Sequence, residues 1–387
     1  MSKKTTILAV ILLLALIPLT ANATITRVMG MGGTGAAYII KDAYTPNIWP
    51  QLIRNYASIA GGEFYTATNG WDFQKAYVNY DFGEDKCAFQ FSLDKIPGRT
   101  YTMAPADLDA VAGTYNRLSF IIGRPMGDLL VGLSFNYTGK SYKADSVSAT
   151  VPAYDISYST FGGRLGVSAL EKKLDVAVGF DFASFSEKEG GKTVLDNDGS
   201  MSIGFVGRYW YTANERYALI PNIKFSYVKD AGKADSDNSE ALTTTMFGVG
   251  IGNNWRPVDN LLSIFELGIM SSSTKDELKV SGTSSSTTDS DFDVYWRLGF
   301  ESKIFGWLDG RFGAERAWRS LSYESMPGKP DVGTANTSTY LGATAHWNRF
   351  YLDLLVEPMF LKNGPYFISG QCTDLFSRVS LWYHFAE

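Results

Sequence analysis

The residues able to do chemistry are charged and, over the last third of the chain, fall an even number of positions apart within each segment. Glu266, Arg297, Glu301, Arg311, Glu315, Arg319, Asp353 and Glu357 fall into one alternating phase, and Arg164, Asp181, Arg208 and Lys224 extend the set upstream. Successive side chains of a strand point to opposite faces, so this spacing places all of them on one side of a sheet. Charges of both signs on neighbouring strands can pair with one another, or can line an aqueous path with a transverse field. Catalysis is a poorer fit. His346 and His384 fall on strands that are not neighbours, no Gly-x-Ser-x-Gly elbow occurs, and no carboxylate pair stands out as acid and base. The expectation is a non-enzyme. The two cysteines (Cys87 and Cys372) and two histidines lack the close C-x2-4-C and H-x3-5-H spacing of an ordinary structural zinc site, and no cofactor is implied.

The opposite phase of the same segments is apolar. Leu129, Val131, Leu133, Phe135 and Tyr137 alternate with Gly132, Ser134, Asn136, Thr138 and Lys140. Leu174, Val176, Val178, Phe180 and Phe182 alternate with Asp175, Ala177, Gly179, Asp181 and Ala183. The final stretch, Thr373–Phe385, does the same, with Val379, Leu381, Tyr383 and Phe385 against Arg378, Ser380, Trp382 and His384. A long strand with one greasy face is an aggregation hazard at the edge of a soluble sheet. In a bilayer it is a barrel stave, apolar outward and polar inward, and a last strand that pairs with the first removes both edges. The terminal aromatic is also the kind of signal read by barrel-assembly machinery.

Mean hydropathy is −0.08 and no apolar run after residue 23 is long enough for a membrane helix. A barrel averages to such a neutral value. The first 23 residues read as a secretory signal: Lys3 and Lys4, an apolar run over residues 7–19, and Ala21-Asn22-Ala23 as the cleavage site. No cysteine follows that site, so it is not a lipoprotein signal. Removing it takes the 35 basic residues to 33 against 40 acidic ones, which disfavours nucleic acid as a partner.

Short connections near 83–85, 125–127, 171–172, 213–215, 257–259, 305–306 and 348–349 alternate with longer polar ones near 96–112, 141–156, 187–199, 230–241, 276–290, 322–335 and 362–373. Short turns on the periplasmic side and long loops outside is the asymmetry of outer-membrane barrels. The predicted fold is an all-β, transmembrane, antiparallel up-and-down barrel over residues 56–387, with sixteen strands by count and fourteen as the alternative. Aromatics near strand ends, such as Tyr211, Trp255, Trp307 and Trp347, are placed to form interfacial girdles.

Residues 24–55 are not strand-like. Gly30, Gly32, Gly33 and Gly35 make a tight-turning segment, and Pro46 and Pro50 break any long helix. The glycine run lacks the βαβ context of a phosphate loop. Its apolar content favours packing against something, which predicts a small plug inside the barrel.

This N-terminal region resembles the FadL family of outer-membrane transporters for hydrophobic compounds. The resemblance is carried by the glycine-rich Met29–Ala37, by Asp42-Ala43, Pro46-Asn47 and Pro50-Gln51-Leu52-Ile53, and by Tyr77–Leu93 as a strand, short turn and strand. Where that family has an Asn-Pro-Ala triplet, this chain has Asn47-Ile48-Trp49-Pro50. The resemblance covers about 70 residues and implies a plugged barrel, usually of fourteen strands, in which hydrophobic ligands leave through a gap in the wall. Pro221 and Pro358 are the prolines placed to disturb the ladder there.

Three functions follow as expectations. The first is passive uptake of small, hydrophobic molecules across a bacterial outer membrane. The second is a general porin with a charged lumen. The third is a structural or secretion-associated barrel. The partners implied are the lipid bilayer with its lipopolysaccharide, a small solute, and the assembly machinery.

Overall fold

The computed structural model describes residues 24–56, 58–67, 70–83, 86–96, 115–144, 153–234, 238–323, 332–357 and 375–385. The predicted signal peptide, Cys372, Pro358 and most of the predicted loops near 96–112, 141–156, 322–335 and 362–373 lie outside them. The strands are β1 (Ile59–Ala67), β2 (Gly70–Asp81), β3 (Ala88–Ile96), β4 (Tyr115–Met126), β5 (Leu129–Ala144), β6 (Tyr154–Ala169) and β7 (Leu174–Glu189). They continue with β8 (Lys192–Asn197), β9 (Met201–Tyr209), β10 (Tyr211–Asn214), β11 (Tyr217–Lys233), β12 (Ser239–Val258) and β13 (Leu261–Val280). The last five are β14 (Thr283–Phe305), β15 (Leu308–Tyr323), β16 (Val332–Trp347), β17 (Phe350–Val356) and β18 (Phe376–His384).

All pairings are antiparallel, and β1 closes on β18 from Ile59 opposite His384 to Tyr65 opposite Arg378. β8, β9 and β10 run end to end between β7 and β11, so they are one wall position, and the barrel has sixteen strands rather than fourteen.

The alternation read from the sequence sets the two faces. Phe135, Phe182, Phe225, Phe247, Phe292 and Phe312 are exposed on the outside, while Asp175, Arg208, Glu266, Arg297, Arg311 and Asp353 are buried inside. An exterior of this kind is solvated only by lipid, and closure satisfies every stave without an edge, which makes the chain an outer-membrane barrel. Tyr211, Trp255, Trp307, Trp347 and Phe350 are exposed beside the turns of one end. At that end amphipathic rings are placed to meet the headgroups.

Two stretches depart from the sequence reading. Residues 187–199 and 276–290 are strand, not loop. β7 and β8 join through Gly190-Gly191, and β13 and β14 through Ser281-Gly282, with positive φ at all four residues. Such two-residue turns match the twist of their strands. The Ser/Thr-rich 283–291 hides its strand character because both of its faces meet water, so no alternation survives. In β7 the facing phase is unbroken, but its polarity inverts above Phe182: Ala183 and Phe185, inward like Asp181, pack with Tyr158 and Leu195, while Ser184 faces out.

Residues 24–56 lie inside the barrel. They form one short helix, α1 (Ile25–Gly30), and three 3-10 turns, Thr34–Tyr38, Thr45–Asn47 and Pro50–Tyr56. The prolines allow no more than this. Val28, Met31, Ile39 and Ile40 pack on Trp210, Ile220, Leu262 and Ile264 of the wall. On another side, Trp49, Leu52 and Tyr56 pack with Tyr77, Leu130, Tyr351 and Trp382.

Candidate functional site

Among the described residues, two glycine patches of the inner wall receive the backbone of the N-terminal segment. Gly123, Gly132 and Gly166 face one another across β4, β5 and β6. A methyl group on Gly132 would overlap the backbone of Pro50 and Gln51, and one on Gly123 would lie 2.8 Å from Ile53. Gly299 and Gly313 face one another across β14 and β15, and a methyl on either would run into the backbone at Met31. Real Cβ atoms do not approach so closely, so only glycine lets the segment lie flat on the wall. The segment's own glycines answer this fit. Gly32 and Gly33 have φ of +110 and +82, and Gly35 lies against the Arg297 guanidinium, whereas Gly30 makes ordinary contacts. Pro50 rests on the first patch.

Side chains of the wall then fasten the segment. Arg27 of α1 forks onto Glu301 of β14, with Nε and Nη2 each 2.6 Å from a carboxylate oxygen, and its Nη1 donates to Asp42 at 2.8 Å. Glu301 also accepts from Arg311 at 2.5 Å. Thr24 donates to Asp353 at 2.9 Å, which accepts from Trp382 as well and lies 3.4 Å from Arg311. Thr344 bridges Arg311 and Asp353. Thr26 meets Ser380 at 2.5 Å. These contacts tie α1 to β14, β15, β17 and β18.

The remainder is held through its carbonyls. Arg208, buried and bonded to Asp175 at 2.8 Å, donates through Nη1 to the carbonyls of Ala37, Tyr38 and Ile40 at 3.1–3.3 Å. Arg164 donates to the carbonyls of Asn47 and Ile48 at 2.7 and 3.3 Å. Lys75 donates to the Asn47 side chain at 2.7 Å, and Asn79 to the Tyr56 carbonyl at 2.8 Å. Lys224 lies 3.9 Å over the Tyr38 ring, a cation–π contact. The Asp42 carboxyl is pushed up to about 6, because burial outweighs the opposing pull of Arg27 and the Tyr44 N–H.

The charged set named from sequence is therefore divided by its geometry. Arg208, Glu301, Arg311, Asp353, Arg164 and Lys224 touch the segment, as do Arg297 at Gly35 and Glu315 at Gly33. Glu266 and Arg297 pair with each other at 2.6 Å, and Glu315, which accepts from Tyr340, lies 3.8 Å from Arg297 and against Gly33. Arg319 pairs with Asp293 further up the wall, and Glu357 lies just past β17. Asp181 borders a cavity above the segment. Sequence reading missed Glu63, which accepts from the Ile25 N–H at 3.3 Å, and also Lys75 and Asp175. The inward phase of β1, β2 and β7 contains all three. Pro221 breaks one ladder only: its pairing with β12 is continuous, while Ile220 and Pro221 lack partners in β9 and β10.

No family model matches the chain, and no curated protein sequence matches it. Among solved structures, the chain is similar to the alcaligin outer-membrane receptor FauA from Bordetella pertussis, at 12% identity and TM-score 0.43, over 77% of this chain and 60% of that one. It is similar to the toluene transporter TodX from Pseudomonas putida at 10% identity and TM-score 0.43, over 93% and 96%. It is also similar to the toluene transporter TbuX from Ralstonia pickettii at 11% identity and TM-score 0.41, over 95% and 100%. The chain thus spans about 60% of the length of the receptor.

Proposed function

We propose that the protein is a passive outer-membrane channel for small solutes, closed from within by residues 24–56 and opened when that segment shifts. The observation that carries this is the double seat. The segment lies on glycine patches belonging to two separate arcs of the wall, β4–β6 and β14–β15, so it bridges the lumen instead of hanging from one side. Its polar fastenings are separate hydrogen bonds and ion pairs, beside two apolar clusters, and none of them is part of the strand ladder that closes the barrel.

A FadL-type transporter is the family reading that fits the glycine-rich segment and its place in the barrel, although sixteen strands depart from the fourteen that family implies. Hydrophobic cargo, the first expectation, is supported by the apolar cluster of Tyr158, Ala183, Phe185 and Leu195 on the inner face, away from the end that carries the exposed aromatics. The charged wall below it suits small polar solutes. A general porin is disfavoured by the seated segment. The reading is non-enzymatic, and its partners are the bilayer with lipopolysaccharide, the solute, and assembly machinery acting on β18.

Solute flux into proteoliposomes tests this, comparing residues 24–387 with a form lacking 24–55. Deletion is expected to admit sugars and amino acids that the intact protein excludes or admits slowly. Equal flux through both forms would overturn the reading.

A further inference from the structure

A cavity of about 130 Å³ lies above Asn47, bordered by β3 to β7. That is well under the roughly 300–1,000 Å³ of sites for drug-sized ligands, so an occupant must be small. Two opposite charges face it without meeting. Arg164 of β6 stands opposite Gly179 of β7, and Asp181 of β7 stands opposite Gly162 of β6, so the two are diagonal neighbours. Such neighbours are within reach of long side chains. Yet no ion pair joins them, and among the described residues neither pairs with any other opposite charge.

Other contacts hold each of them apart. Arg164 uses Nη1 for the carbonyls of Asn47 and Ile48, which leaves Nε and Nη2 without hydrogen bonds. The Asp181 carboxylate accepts from Asn136 at 3.2 Å and from Ser202 at 3.1 Å, both neutral donors. The other two charges at the cavity, Asp94 and Arg117, are already paired at 2.9 Å. One cation and one anion therefore remain uncompensated, fixed at adjacent positions on a shared wall.

We propose that this cavity is a binding site for a small zwitterion of amino-acid size, with its carboxylate on Arg164 and its ammonium on Asp181. A zwitterion satisfies both groups and leaves the net charge unchanged. A simple carboxylate would bring a second negative charge beside Asp181, and a simple ammonium a second positive charge beside Arg164. Either is penalised by like-charge proximity. The free guanidinium edge suits a carboxylate because two parallel N–H groups match its two oxygens.

The site deepens the channel reading and rests on it for its biological sense, but equilibrium binding requires no transport. A silent channel that binds would count against that reading alone, and a conducting channel that does not bind against this proposal alone. The test is calorimetric titration of residues 24–387 in detergent with L-alanine, acetate, ethylammonium and glycerol. L-alanine is expected to saturate one site in the millimolar range, with acetate and ethylammonium at least about tenfold weaker and glycerol not binding. Asp181→Asn and Arg164→Gln should each weaken L-alanine by about tenfold or more, while Lys275→Gln on the outer part of β13 leaves it unchanged. Asn136→Asp keeps the test decisive should either of those variants fail to fold: a second carboxylate at Asp181 should strengthen ethylammonium relative to acetate. No saturable L-alanine binding, or acetate or ethylammonium binding as tightly as L-alanine, would overturn the proposal.

Discussion

Arg27 and Glu301 meet as a fork on a carboxylate, both N···O distances being 2.6 Å, although 274 residues separate them in sequence. This pair joins the one helix of the N-terminal segment to β14, and Arg311 approaches the same carboxylate from β15. Removing one partner of a buried, hydrogen-bonded pair costs about 3–5 kcal/mol, because the other charge is left buried and uncompensated. Arg27→Gln should therefore loosen the segment and leave the barrel intact. Amide exchange over residues 24–47 should speed up by about a hundredfold or more, with strand amides unchanged.

The glycine patches make a sharper prediction, because a single methyl group distinguishes two wall positions. Gly132→Ala should unseat Pro50-Gln51 and raise channel opening. Gly204→Ala on β9 also faces the lumen, but its nearest neighbour would be the Phe225 carbonyl at 3.8 Å, and it should behave as the parent. Single-channel recordings of the two variants check this.

Arg208→Lys should be far from conservative. Lysine keeps the charge but cannot bond Asp175 and reach three plug carbonyls with a rigid fork. Exchange should accelerate at residues 37–40 and less at residues 50–56, which are held by the other arc of the wall.

Asp42 gives the segment a pH dependence of definite sign. Its carboxyl is near 6 when docked and near the ordinary 3.8 when released, so the docked state holds the proton more tightly. That contribution to docking is fully present below about 3.8 and is lost as pH rises through about 6. Openings should be rarer at pH 5 than at pH 7.5, and Asp42→Asn should flatten the part of the profile centred near 6. An unchanged profile in that variant would assign the dependence to other groups.

The barrel was legible wherever lipid and lumen impose opposite demands, as in Leu129–Lys140, where every second residue is apolar. It was illegible where both faces meet water, as in Thr283–Asp291, because nothing there selects one phase. The lumen phase of Gly123, Gly132 and Gly166 was also readable, but not their use. Their alignment exists only once the register of β4, β5 and β6 is set, and only then does Pro50-Gln51 have a floor. Arg208 is similar: the sequence places it inward, while its three carbonyl partners lie about 170 residues upstream.

The central claim is that residues 24–56 close the lumen, and planar-bilayer conductance of residues 24–387 tests it most directly when paired with the form lacking 24–55. The account predicts a closed or briefly flickering intact protein and a steady, large conductance after the deletion. A steady, large conductance in the intact protein, unchanged by the deletion, would contradict it.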